Sequence, residues 1–222
     1  IQLLADAVQK NTERTVLISG KQHITYGQLK RATHAVANML AQSGIGKGDK
    51  VALMLPNIPE FFYSYFGVLK TGAVVVPLNT SSTPFELTHL LNDSDDRILI
   101  SQTSQTKKYD DIKNDLLSCH QFIPIDTLNR NNELLTDTGG ENLPSAEINP
   151  EDPAVIIYTA GLTGKSMGAV LTHHNLCAQL DMIQPVFQRS PDDIGLALIP
   201  LFHSFGATVN MTPIARAAGR VT

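Results

Sequence analysis

Apolar positions along this chain switch repeatedly between two spacings. Short continuous or β-branched runs read as strands, and stretches with apolar residues every three or four positions read as helices. Residues 15–19, 50–55, 73–78, 97–101, 121–125, 154–158, 169–172 and 194–199 are predicted strands. The run at 73–78 is apolar throughout, as suits a strand covered on both faces. Thr25-Tyr26-Gly27-Gln28 fits a capping box, in which a hydroxyl and a side-chain amide close a helix start reciprocally. Behind it Leu29, Ala32, Val36 and Leu40 form one stripe with Ala37 beside it, and Gly44 falls where a helix stop is expected. Pro59 opens a helix running to Lys70 or Thr71, which Gly72 ends. Thr83-Pro84-Phe85-Glu86 is a second capping box, with its helix ending near Asn92.

Further helices are predicted over 106–117, 174–187 and 206–217, and Val221-Thr222 reads as the start of a strand. Residues 129–152 are polar and without a clear period. They read as a long surface excursion that hides a short element or marks a subdomain seam. Strands alternating with helices predict an α/β fold with a largely parallel sheet flanked by helices.

Composition removes several functional classes. The chain has 222 residues, 42% hydrophobic and 17% charged, which suits a packed domain and argues against disorder. A net charge of -4 lacks the basic footprint of a nucleic-acid binder. The greasiest stretch, residues 61–78, is interrupted by Lys70, Gly72 and Pro77. It reads as a buried helix and strand, with Phe61, Phe62, Tyr63, Tyr65 and Phe66 as helix core, and not as a membrane span. Peripheral contact with a membrane stays open. Cys119 and Cys177 read as two reduced, buried thiols, which places the protein in the cytoplasm.

One loop carries candidate chemistry. The apolar run Ala154-Val155-Ile156-Ile157 leads into Tyr158-Thr159-Ala160-Gly161-Leu162-Thr163-Gly164-Lys165-Ser166-Met167-Gly168. Glycines let backbone N–H groups approach a ligand closely, and with two hydroxyls and an ammonium they form a cradle for a polyphosphate. Gly164-Lys165-Ser166 matches the end of a P-loop, but Thr159 stands where the first glycine belongs. A P-loop also opens into a helix, whereas Ala169-Val170-Leu171-Thr172 reads as a strand. His173 and His174 precede a helix and suggest a capping or surface role.

The loop, with Leu171-Thr172-His173-His174-Asn175-Leu176 behind it, resembles the phosphate-binding signature of the adenylate-forming superfamily: acyl-CoA synthetases, luciferases and peptide-synthetase adenylation domains. Ile24-Thr25-Tyr26-Gly27-Gln28-Leu29, Leu53-Met54-Leu55-Pro56-Asn57, Leu69-Lys70-Thr71-Gly72-Ala73 through Pro77-Leu78-Asn79, and Leu198-Ile199-Pro200-Leu201-Phe202-His203-Ser204-Phe205-Gly206 resemble its other blocks, in order. Pro200-Leu201-Phe202-His203, with Thr83-Pro84-Phe85-Glu86-Leu87 and Leu91-Asn92-Asp93-Ser94, is most similar to fatty-acyl and related acyl-CoA ligases.

The resemblance implies an enzyme that joins a carboxylic acid, a fatty acid on the finer reading, to ATP and then passes the acyl group to coenzyme A. It implies that Thr159, Ala160, Gly161, Leu162, Thr163, Gly164 and Lys165 hold the ATP phosphates, with Thr159 able to touch Mg²⁺ by way of them. His203 is placed on the acyl-carboxylate side as the candidate catalytic residue, with Phe202 and Phe205 beside the acyl chain. Ala160, Leu162, Ser166 and Met167 depart from the usual hydroxyls, proline and lysine. They keep a pseudoenzyme, or a nucleotide-binding module with a degenerate loop, as an alternative, along with another adenylating enzyme or a non-catalytic interaction domain. No counterpart of the family's later blocks is found, so residues 1–222 resemble an incomplete N-terminal AMP-binding domain that is expected to be inactive alone.

Overall fold

The computed structural model describes residues 2–128, 133–136, 146–160, 166–187, 190, 192–207 and 220–222. Local signals set the first half of the chain. Helix α1 (Gln2–Asn11), which the hydrophobic pattern had not been read to contain, packs Leu4, Ala7 and Val8 inward. Strands β1 (Thr15–Ser19) and β2 (Gln22–Thr25) form an antiparallel pair. Thr25 then caps α2 (Tyr26–Gln42): the Gln28 N–H donates to the Thr25 hydroxyl at 3.2 Å, and the Thr25 N–H donates to Gln28 Oε1 at 2.9 Å. The expected stripe Leu29, Ala32, Val36 and Leu40 is fully buried, and Gly44 follows the helix at φ +77°.

Strand β3 (Lys50–Met54), helix α3 (Pro59–Lys70) and strand β4 (Val74–Pro77) complete the first parallel unit. The residues 61–78 are thus a buried helix and strand, with Phe61 and Tyr63 fully enclosed. Thr83 and Glu86 form the second reciprocal cap, at the start of α4 (Pro84–Ser94), and β5 (Asp96–Ser101) follows. The predicted helix 106–117 is shorter than expected. Helix α5 (Thr106–Ile112) passes into a 3-10 turn at Lys113–Asp115. Strand β6 (Gln121–Pro124) ends one residue early, because Ile125 opens the short helix α6 (Ile125–Leu128).

The excursion 129–152 does hide a short element, α7 (Glu133–Thr136). Its Leu135 is buried, and the Arg31 Nε of α2 donates to the Leu135 carbonyl at 2.8 Å. Residues 129–132 and 137–145, where a seam was expected, lie outside the described residues. Strands β7 (Pro153–Ala160) and β8 (Ser166–Thr172) then lead into α8 (His173–Phe187). The cap of α8 comes from Thr172 and Asn175, each side chain accepting from the other's N–H, at 3.0 and 3.2 Å. His173 itself is the first helical residue.

The predicted strand 194–199 shrinks to β9 (Ile194–Gly195). A single helical turn, α9 (Ser204–Gly206), begins the region predicted as helix 206–217, most of which lies outside the described residues. Strand β10 (Arg220–Val221) sits between β1 and β9.

Among the described residues the strands form a six-stranded sheet, ordered β6-β5-β3-β4-β7-β8, and a four-stranded sheet, ordered β2-β1-β10-β9. Every pairing from β6 to β7 is parallel, and β8 alone in the larger sheet runs antiparallel. The two faces of β3 explain its apolar run: Val51, Leu53 and Leu55 join the core under α2 and α3, while Ala52 and Met54 join the core under α4 and α5. A strand buried on both sides has no solvent face on which to place polar residues. Cys119 is buried as expected, but Cys177 is exposed on α8. Met182 and Val186 of the same helix are also exposed.

Candidate functional site

The carboxyl ends of β4 and β7 open onto one cleft. Parallel strands deliver their following loops to the same edge of a sheet, and this edge is where α/β folds bind ligands. After β4, Asn79, Ser81 and Ser82 lead into the capped start of α4, which presents Phe85, Glu86 and His89 along one wall. Ile157, Tyr158 and Thr159 of β7, with Ser166 of β8, form a second wall. Phe202, His203 and Ser204 form a third. The open cleft has a volume of about 1400 Å³, large enough for more than one small substrate.

Strands β7 and β8 pair Tyr158 with Gly168, Thr159 with Met167, and Ala160 with Ser166. Residues 161–165 therefore form the connection at the end of an antiparallel pair. The strand–loop–strand arrangement read from the sequence is present, and the strand–loop–helix of a P-loop is not. Gly161, Leu162, Thr163, Gly164 and Lys165 lie outside the described residues. Thr159 is exposed to the cleft, and Ala160 is the last residue of β7. Met167, standing where the family pattern has lysine, is 65% exposed on β8.

The strand into the loop is tied sideways to α4. The Tyr158 hydroxyl donates to Asp93 Oδ2 at 2.7 Å. Burial, followed by that bond to an anion, pushes the Tyr158 phenol above its ordinary range, so it stays a donor. Glu86 places a carboxylate in the cleft wall but uses it locally. The Thr83 N–H donates to it at 2.8 Å and the Thr83 hydroxyl at 3.0 Å, and these bonds hold the carboxyl below its usual range.

His203 lies on the cleft face of a tight turn. Its N–H donates to the Pro200 carbonyl at 3.0 Å, and its Nδ1 accepts from the Phe205 N–H at 3.3 Å. With Nδ1 occupied as an acceptor, the neutral ring carries its proton on Nε2. Phe202 lines the cleft and leans on the larger core, whereas Phe205 is 55% exposed and lies off the lining. Of the sequence candidates, Thr159, Phe202 and His203 are thus brought to one cleft.

The sequence reading missed the α4 wall. It also missed Asn57, whose side chain reaches Ala197, Ile199 and Leu201. The one available signal was an Asn directly after Pro56 at a strand's carboxyl end.

A doubly covered parallel sheet, with the β7–β8 pair and the His203 turn at a cleft on its carboxyl edge, defines an α/β domain. The sequence pattern of the AMP-binding enzyme family matches residues 4–222, and the chain belongs to that family. It is 29% identical to a probable CoA ligase of Humulus lupulus, over 97% of this chain and 42% of that protein. It is 26% identical to a long-chain-fatty-acid–CoA ligase of Escherichia coli O6:H1, over 95% of this chain and 43% of that protein. The fold superposes on the crystal structure of the anthranilate CoA ligase AuaEII in complex with anthranoyl-AMP with a TM-score of 0.90. The identity there is 25%, over 99% of this chain and 43% of that one. The chain therefore spans less than half the length of these relatives.

Proposed function

We propose that this chain contributes the ATP-phosphate loop and the acyl-side histidine of an acid–CoA ligase, the acid being a fatty acid. The observation that carries the reading is the β7–β8 pair, which brackets residues 161–165 at a cleft that also receives Thr159 and His203. In the first step a carboxylate oxygen attacks the α-phosphorus of ATP in line. The bond to the bridging oxygen breaks, and pyrophosphate leaves. In the second, the thiolate of coenzyme A attacks the acyl carbon and AMP leaves with the bonding pair.

Thr159, Thr163 and the backbone N–H groups of Gly161 and Gly164 bind the β- and γ-phosphates, with Lys165 adding a charge-assisted bond. The other loop positions assigned to ATP, Ala160 and Leu162, contribute backbone groups only. His203, with Nε2–H free to donate, orients the acid carboxylate, and Phe202 supplies an apolar flank; Phe205 is assigned to the outer acyl chain. Among the described residues no group of three His, Cys, Asp or Glu side chains could hold a metal ion. The Thr159 hydroxyl together with substrate phosphates is a donor set that suits Mg²⁺, which takes few protein ligands. Mg²⁺ supplies charge neutralisation of the leaving pyrophosphate.

Among the described residues no helix is long and apolar enough to cross a membrane. The free thiols Cys119 and Cys177 support a reducing compartment, the cytoplasm.

Calorimetric titration tests the loop assignment. ATP with Mg²⁺ and inorganic pyrophosphate both bind this chain, and Lys165→Ala weakens both by about tenfold or more, the worth of one charge-assisted bond. Absence of binding sinks the reading. Binding without acid-dependent exchange of pyrophosphate into ATP is the expected behaviour of this chain by itself. The same outcome in a longer form of the protein would favour the pseudoenzyme, the alternative that Met167 at the usual lysine position supports.

A further inference from the structure

The segment leading to the cleft wall that carries Phe202 and His203 leaves the sheet after Ala197. Strand β9 ends at Gly195; beyond it one backbone bond, from the Ala197 N–H to the Thr222 carbonyl at 2.8 Å, still reaches the end of β10, and the chain then turns, with the Leu198 N–H donating to the Leu196 carbonyl at 3.0 Å. Past that bond one side chain holds the backbone. Asn57 Nδ2 donates to the Ala197 carbonyl at 2.9 Å and to the Ile199 carbonyl at 3.0 Å, while its Oδ1 accepts from the Leu201 N–H at 2.8 Å.

These three backbone groups lie at alternate residues. A primary amide has two N–H donors and one carbonyl acceptor, and here every kind is in use on one segment.

The anchor is rigid. Asn57 follows Pro56 at the carboxyl end of β3, the strand flanked by β4 and β5, where Leu53, Met54 and Leu55 are fully buried. Beyond the clamp the chain is held a second way. Leu201 is fully buried in the larger core. Gly206 folds back beneath Pro200 so closely that a Cβ there would lie 2.1 Å from the Pro200 carbonyl oxygen. The turn bearing His203 is thus fixed at its start by Asn57 and at its end by Gly206.

We propose that Asn57 is a positioning residue for the acyl side of the cleft, acting through Leu201 on Phe202 and His203. The Asn57 side chain bonds Ala197, Ile199 and Leu201, none of which lines the cleft, so its effect on the site is indirect. The consequence for acid binding rests on the proposed function; the clamp itself does not.

Amide hydrogen exchange by NMR on this chain separates the two. Asn57→Ala raises exchange at Leu201 and His203 by about tenfold or more, since removing even one such bond is worth roughly that factor. Val51 and Val75, in the sheet, keep their protection, and Tm changes little, because Asn57 is an exposed side chain. Asn57→Asp keeps the acceptor for Leu201 but loses both donors, and raises exchange at His203 less than alanine does. Gly206→Ala loosens the same turn with Asn57 intact.

Unchanged exchange at Leu201 in Asn57→Ala overturns the clamp. So does a rise spread evenly over the sheet, which would mean that Asn57 serves global stability. In a longer form of the protein with acid-dependent pyrophosphate exchange, Asn57→Ala raises KM for the acid by about tenfold and leaves KM for ATP unchanged. An equal rise in both overturns the positioning role. Failure to find exchange in any form counts against the ligase reading and leaves the clamp to the NMR result.

Discussion

Replacing Gly67 with alanine puts a methyl group into the seam between α2 and α3, where an added Cβ would lie 2.7 Å from Val36 Cγ1, 2.9 Å from Val36 Cβ and 3.3 Å from the Thr33 carbonyl oxygen. Val36 is fully buried, and a valine in a helix has one strongly preferred rotamer, so rotation cannot relieve the 2.9 Å approach. Two effects oppose each other. Alanine gains about 1 kcal/mol of helix propensity over glycine. Overpacking a tight contact costs about 1–3 kcal/mol, and here the atoms met are stiff. The net is a destabilisation of about 1 kcal/mol or slightly more, which lowers Tm by roughly 2–4 °C in a chain of this size.

Urea denaturation of Gly67→Ala, Val36→Ala and the double variant tests the cause. Val36→Ala alone costs about 2 kcal/mol, from lost methyl burial and the space left behind. In that background the 2.7 Å clash with Cγ1 is gone while the 2.9 Å approach to the Cβ of residue 36 remains, so Gly67→Ala costs clearly less than it does in the parent. The coupling should be about 1–3 kcal/mol. Effects that add to within about 0.5 kcal/mol, or a Gly67→Ala variant more stable than the parent, would refute the packing argument.

Asp96 gives a pH signature. It is fully buried, Ser94 Oγ donates to its Oδ2 at 2.5 Å, and its Oδ1 has no hydrogen-bond partner among the described residues. Burial lifts its carboxyl to about 8, against the hydrogen bond from Ser94 and the charge of Lys50. The folded state thus binds this proton more tightly than the unfolded chain. Its contribution is complete below about pH 4 and is lost as pH rises through 8. Asp96→Asn removes that decline: denaturation midpoints at pH 5 and pH 9 converge in the variant and differ in the parent, and an unchanged slope would count against the assignment.

Tyr158→Phe and Asp93→Ala each cost about 1 kcal/mol in denaturant unfolding, and together cost less than their sum, because both break one bond. A fully additive pair would mean that the bond contributes nothing. A thiol reagent should label the exposed Cys177 at once. It should reach Cys119 only on unfolding, since that thiol is buried and burial pushes it up to about 12. Fast labelling of both residues would contradict the packing of α5 against β6.

Elements fixed by near neighbours were readable in the sequence. The two capping boxes at Thr25 and Thr83 formed as read, because each is closed by groups three residues apart. The apolar runs of β3 and β4 announced a sheet covered on both faces. The strand after the glycine loop was also legible, and it separated this loop from a P-loop before any coordinates. Helix ends were read less well. The prediction 106–117 overran α5, whose last turn tightens to 3-10 geometry, and 194–199 overran β9.

The second failure has a physical reason. Whether an apolar run becomes a strand depends on a partner to bond its backbone. Past one backbone bond from Ala197 to Thr222, that partner for residues 197–201 is a side chain, Asn57, which lies 144 residues from Leu201 in sequence. Alternation and capping are energies between residues within one turn of each other, so the sequence by itself determined the α/β class and the loop's design. The cleft depends on which distant segments meet: α4 against β7 through Asp93 and Tyr158, and Asn57 against the His203 turn. Only the tertiary structure decided those meetings, because a hydrogen bond between distant segments leaves no period in the sequence of either.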